Sequence, residues 1–351
     1  MKYFYTIILF TVLNIASANA LTISPEPYTI YRTPNSIIHR LSKDHMQYVG
    51  GRARCSTCTG VAWFSDSRHL ISANLLDHSA QTYSFNPYKK EILPIKKYDN
   101  SLTLLGWPEN LSTSKDGKLL AISNSYTGKA NIYRLDTKRA AIYPSPIAQL
   151  STGDHALHGV RFSPDGKYLA YVTYDGRGNV RIFRNSSTSS DRPQFDLCCT
   201  VNCTYEGLSS KGIDFSSDQE YIAICYSAKA SPKSSAATGK LAIYKFDSQN
   251  GIMNPDPVSA IGTDELLYTP EDVLFVADDS YLLVSNQGND TITAHEFDPE
   301  TGAISNSYVA LKSPEAQLNF PHGFALSPDN KYLAVSNYGD DKICIYTIDS
   351  Q

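Results

Sequence analysis

The chain has 351 residues, a formal net charge of −4 and 19% charged side chains. No run of Lys or Arg interrupts this mild acidity, which excludes nucleic acid and anionic membrane as expected partners. The length would suit two ordinary domains, but an internal repeat argues for one.

The first twenty residues read as a signal peptide. Met1-Lys2 precedes an apolar run from Tyr3 to Ile15, and Ala18-Asn19-Ala20 supplies the small-residue pattern at which such peptides are cut. The run is shorter than the roughly 20 residues of a membrane-spanning helix, and no other segment approaches that length. The expectation is a mature chain of residues 21–351, exported to a periplasm or secreted, with no membrane span.

Residues 21–59 hold two candidate strands, Tyr28 to Arg32 and Ile37 to Leu41. A module then recurs, beginning at Gly60, Asn110, Gly159, Gly212, Asp272 and Gly323. Six residues after each start stands an aspartate, Asp66, Asp116, Asp165, Asp218, Asp278 and Asp329, at spacings of 50, 49, 53, 60 and 51. Each aspartate falls in a turn, where its carboxylate bonds the backbone two residues on. The clearest copy, His322 to Asp349, reads as three short apolar runs joined by the turns Ser327-Pro328-Asp329-Asn330 and Tyr338-Gly339-Asp340-Asp341.

A period near fifty with strands only is the signature of an all-β propeller built from four-stranded antiparallel blades. The last module stops after its third strand, so an N-terminal strand is expected to complete that blade and close the ring. Six blades are expected, and seven if residues 21–59 fold as a degenerate blade. Two stretches depart from the period, Asn185 to Gly207 and the Ser-, Ala- and Lys-rich Ser227 to Lys240; both read as exposed loops.

Gly159 to Leu169, the Ser336-Asn337-Tyr338-Gly339 turn and Phe297 to Ile304 (FDPETGAI) resemble the YVTN and lactonase-type propellers, the group that includes 6-phosphogluconolactonase-like proteins. The resemblance spans about residues 60–351. It implies a lactonase-like hydrolase acting on a lactone or sugar-derived ester. That family's first strand commonly opens with Pro-Arg-His; the nearest match here is Pro321-His322-Gly323, without the arginine.

Cys225 and Cys344 fall within expected strands and read as buried thiols. Cys55, Cys58, Cys198, Cys199 and Cys203 read as loop residues, for which an exported protein would favour disulfides over a zinc site.

In a propeller the first strand of each blade lies innermost, so the residues just before the module starts converge on one mouth of the central channel. These are Thr59, Glu109, His158, Lys211, Glu271 and His322. A second series, Asn74, Asn124, Thr173, Tyr226, Asn286 and Asn337, follows each module aspartate by eight residues. The histidines, Glu109, Lys211, Glu271 and the asparagines could bind a small polar ligand, although turn chemistry is the favoured role of the asparagines. Two readings of function follow. In one, the channel mouth binds a small polar ligand or a partner protein; in the other, His158, His322 and Glu271 hydrolyse an ester, with or without a divalent metal held by the two imidazoles and a carboxylate.

Overall fold

The computed structural model describes residues 22–23, 29–32, 57–99, 101–176, 178–187, 193–203, 205, 207–228, 239–262 and 266–349. The expected signal peptide, the strand expected at Ile37 to Leu41, and Cys55 lie outside the described residues.

Each module folds as a meander because its turns are fixed by its own side chains. Oδ1 of Asp66, Asp116, Asp165 and Asp218 accepts the amide of Arg68, Lys118, Lys167 and Glu220 respectively, at 2.9 to 3.1 Å. Ser114, Ser163, Ser216 and Ser327 donate their hydroxyls to the aspartate two positions on. The fifth module departs from this scheme: Asp278 and Asp279 stand in the left-handed region, at φ 51° and 66°.

The meanders form six antiparallel sheets among the described residues. The innermost strands are Cys58–Trp63, Pro108–Thr113, Leu157–Phe162, Leu208–Phe215, Pro270–Val276 and Pro321–Leu326, and they define blades 1 to 6. Each innermost strand packs against the next, and the sixth packs against the first, so the ring is closed. The outer position of blade 2 is shared by two short strands, Ala141–Ile142 and Ala148–Leu150. In blade 6 that position is filled from the N-terminal side: Thr22–Ile23 and Thr29–Arg32 both pair antiparallel with Lys342–Asp349, Thr22 opposite Asp349 and Thr29 opposite Ile345. The ring thus has no unpaired edge at its seam.

A separate apolar cluster fills each of the six gaps between neighbouring blades. The second and third strands have two buried faces and so read as nearly continuous apolar runs such as Leu119–Asn124. Trp63, 2% exposed, secures the gap between blades 6 and 1 by donating its indole N–H to the Ala325 carbonyl at 3.1 Å.

Two expectations are corrected. Within the stretch taken as a loop at Asn185 to Gly207 lies the outermost strand of blade 3, Phe195–Asn202. An outermost strand buries only part of its surface, so Asp196, Thr200 and Asn202 interrupt the apolar pattern that would have revealed it. The cysteine expectation fails with it. Cys198 and Cys199 lie on this strand, Cys58 lies buried in the first strand of blade 1, and all six described cysteines, Cys203 included, are free thiols. The stretch Ser227 to Lys240 is flanked by paired strands up to Ala228 and from Gly239, with 229–238 outside the described residues.

Candidate active site

The innermost strands converge because four of the six carry glycine one position after the mouth residue. A Cβ on Gly212 would meet the Cα of Asp272 at 2.6 Å, and one on Gly159 would meet the Lys211 carbonyl oxygen at 2.5 Å. Blades 2 and 5 carry Asn110 and Asp272 at this position instead. Six blades set these two opposite one another, and the Asn110 amide donates to Asp272 Oδ2 across the axis at 3.3 Å. Arg161 joins them, with Nη2 3.6 Å from Asp272 Oδ1 and Nε 3.3 Å from Asp214 Oδ1. This polar network crosses the channel one residue along the strands from the mouth.

At the mouth itself every innermost strand breaks register with its neighbour, as between Pro108 and Leu111 or Pro270 and Asp272. Such irregularities re-aim side chains. The amides they release are taken up by serines of the second strand: Asn110, Asp272 and Gly323 donate to Oγ of Ser123, Ser285 and Ser336 at 3.0 Å. Those hydroxyls in turn donate to the carbonyls of His158, His322 and Thr59 in the following blade. In blade 4 Cys225 takes the serine's place, accepting from the Gly212 amide at 3.2 Å.

So positioned, Glu109, His158, Lys211, Glu271 and His322 converge on a cavity of about 500 Å³. Lys211 Nζ donates to both oxygens of Glu271, at 3.1 and 3.0 Å. Nε2 of His158 lies 3.2 Å from Glu271 Oε2 and 4.0 Å from Glu109 Oε2; Nε2 of His322 lies 3.6 and 3.9 Å from the same two atoms. His158 is anchored by Nδ1, 3.0 Å from the Lys211 carbonyl. Nδ1 of His322 turns toward the Thr59 carbonyl without a hydrogen bond of normal geometry. Thr59 itself donates its hydroxyl to the Pro108 carbonyl at 2.8 Å and does not line the cavity.

The site's electrostatics are set by burial against charge. Burial would raise the carboxyl of Glu271, but the Lys211 ammonium and the two imidazoles reverse this and hold it well below the usual carboxylate range. Glu109 has no ammonium so close; burial pushes its carboxyl up, with His158 and Lys211 only partly opposing. Burial lowers His322 to about 3, so it is a neutral imidazole. Burial alone would lower Lys211, yet Glu271 keeps it raised and charged.

The asparagines are placed differently. Oδ1 of Asn124, Asn286 and Asn337 accepts the amides of Gly106, Tyr268 and Asn319, at 3.0, 2.9 and 2.9 Å, and Asn74 donates to Ser79 Oγ at 3.0 Å. All four are buried in their blades and none lines the cavity. The lining comes from the residue after each of them and its equivalents: Leu75, Ser125, Tyr174, Ser227, Gln287 and Tyr338. Trp107 and Phe320 add to it, both in the left-handed region at φ 52° and 51°. Sequence reasoning missed these. The signal was the same fifty-residue register displaced by one, since consecutive residues leave a strand on opposite faces.

A six-membered ring of blades with a polar, charge-paired mouth defines a β-propeller with a candidate catalytic cavity. Residues 148–318 match the family model described as "Lactonase, 7-bladed beta-propeller", and the resemblance to lactonase-type propellers read from the turn motifs is thereby shown. No curated protein matches the chain. Among solved structures, the periplasmic gluconolactonase PpgL of Pseudomonas aeruginosa is 18% identical with a TM-score of 0.58, over 86% of this chain and 83% of that one. A provisionally named 6-phosphogluconolactonase of Bacteroides uniformis is 16% identical with a TM-score of 0.58, over 85% and 82%. Hydrazine synthase of Kuenenia stuttgartiensis is 13% identical with a TM-score of 0.54, over 86% and 98%, so the shared feature is the fold. The described residues form six blades where the family model's description has seven.

Proposed function

We propose that the protein is a hydrolase of a lactone or sugar-derived ester, acting in the cavity at the channel mouth. The observation that carries this is the convergence of Glu109, His158, Lys211, Glu271 and His322, all buried, on one cavity of about 500 Å³. The match of residues 148–318 to the lactonase model and the fold shared with PpgL support the same reading. Ester hydrolysis needs a centre that activates water and a positive charge beside the oxygen that becomes negative. Glu109 with the Nε2 atom of His158 forms the first, His322 lining the same side as a neutral imidazole, and Lys211, held in place by Glu271, supplies the second. Water adds to the acyl carbon, the ring C–O bond breaks, and the proton lost by water ends on the released hydroxyl. Glu271 acts here as a positioning residue, since so acidic a carboxyl is a weak base. The apolar N-terminal run followed by Ala18-Asn19-Ala20 supports an exported protein.

The test is acid release from a panel of five- and six-membered sugar lactones at constant pH. Turnover that the double variant His158→Ala/His322→Ala loses while staying folded is expected. A folded parent protein that turns over no member of the panel, metal-supplemented or not, refutes the hydrolase reading and returns the cavity to ligand binding alone.

A further inference from the structure

We infer that Glu109, His158 and His322 form a mononuclear site for a divalent transition-metal ion, zinc in the first instance, at the floor of the cavity. The inference deepens the hydrolase reading, since it names the centre that activates water, but it stands on separate geometry. One donor atom from each of the three side chains lies within 4.8 Å of the others, and all three residues are buried. The Glu109 oxygen is 4.0 and 3.9 Å from the two Nε2 atoms. Ligands at the usual zinc bond lengths of about 2.0–2.2 Å stand roughly 3.3–3.6 Å apart in a tetrahedron, so small side-chain rotations would complete the site.

The second observation is how the imidazoles are held. His158 Nδ1 is 3.0 Å from the Lys211 carbonyl, a contact that requires a proton on Nδ1. Its other nitrogen, Nε2, is thereby aimed at carboxylate oxygens of both Glu271 and Glu109, at 3.2 and 4.0 Å. His322 presents Nε2 to the same two oxygens, with its Nδ1 toward the equivalent carbonyl of the next blade, that of Thr59. The one ammonium among these residues, Lys211, is spent on both oxygens of Glu271. A backbone carbonyl behind an imidazole, as His158 has, is the usual support of a histidine that ligates metal. Two imidazoles and one carboxylate also form the three-ligand set that leaves a catalytic ion a position for water. Glu271, locked to Lys211, stands beside that position as the acceptor that orients the water.

The experiment is titration of chelator-treated, folded protein with Zn(II) by calorimetry and with Co(II) by visible absorption. Expected are one ion per chain and, for Co(II), the intense d–d bands of low coordination number. Glu109→Gln and His322→Gln should each weaken binding by at least 10-fold, as loss of a ligand does, while Lys211→Met, which removes no ligand, should still take up one ion. Absence of stoichiometric uptake by the parent protein overturns the inference whatever the variants do, and so does uptake that survives both ligand substitutions. Lactone turnover undiminished after chelation overturns the inference but leaves the hydrolase reading standing; one bound ion with no turnover does the reverse.

Discussion

His158 and His322 lie in opposite blades and stack ring on ring, with centroids 5.1 Å apart and planes 22° from parallel. The relationship follows from the number of blades. With six, blade 3 faces blade 6 and blade 2 faces blade 5, so histidine meets histidine and Glu109 meets Glu271 across the axis. An odd ring has no opposite blades. The paired chemistry of the mouth therefore depends on the sixth innermost strand packing directly on the first.

The Lys211–Glu271 pair is the strongest coupling at the mouth, with both groups buried and two hydrogen bonds between them. Lys211→Met should cost roughly 3–5 kcal/mol because it leaves a buried carboxylate without its counter-ion. The double variant Lys211→Met/Glu271→Gln should recover most of that loss. Denaturant unfolding of the two single variants and the double checks it, and additive losses would refute the coupling.

Gly212→Ala tests the convergence of the strands. Its new methyl would meet Asp272 Cα at 2.6 Å and Val273 N at 2.8 Å, backbone atoms that cannot rotate away. A loss of about 1–3 kcal/mol or more is expected. Gly262→Ala, with nothing within 4 Å of its would-be methyl, should change stability by less than about 0.5 kcal/mol. Equal losses in the two variants would contradict the packing argument.

His295 gives a pH dependence away from the mouth. It is fully buried between Thr293 and Ser307, hydrogen-bonded at 2.9 and 2.8 Å, and burial lowers it to about 4. Between its unfolded value near 6.5 and about 4 the unfolded chain binds the extra proton, so this contribution is complete above pH 6.5 and lost as pH falls toward 4. The loss is of order 3 kcal/mol for the full interval. Unfolding free energies of the parent and His295→Gln, measured from about pH 7.5 to about 4.5, should converge as the pH drops. A constant difference would mean that the residue titrates alike in both states.

Thiol titration of denatured, unreduced protein should find at least the six described cysteines free. Five or fewer would restore a disulfide.

Much of the fold was legible because the turns name themselves: Asp66 and its equivalents mark every module, and the residue six before each marks the axis. The mouth residues were legible for the same reason. The outermost strands were not. Glu91–Tyr98 contains Pro94, and Ile252–Ile261 contains Pro255 and Pro257; a sheet tolerates proline at an edge, but each one breaks the apolar pattern. The asparagines serve loop and turn backbone, as turn chemistry suggests, and it is the residue one position on that faces the cavity. Arg161 and Asp214 gave no signal, because the network they join is completed by Asn110 and Asp272, which face each other from opposite blades far apart in sequence.

The Asn110–Asp272 bond spans the axis just behind the mouth and narrows the channel there, so the cavity serves best as a chamber with one entrance. Whatever enters must leave by the same opening, and a long molecule cannot be threaded through to expose a bond in its middle. On the proposed hydrolase reading, a compact ring no larger than the chamber fits this geometry better than the middle of a long chain.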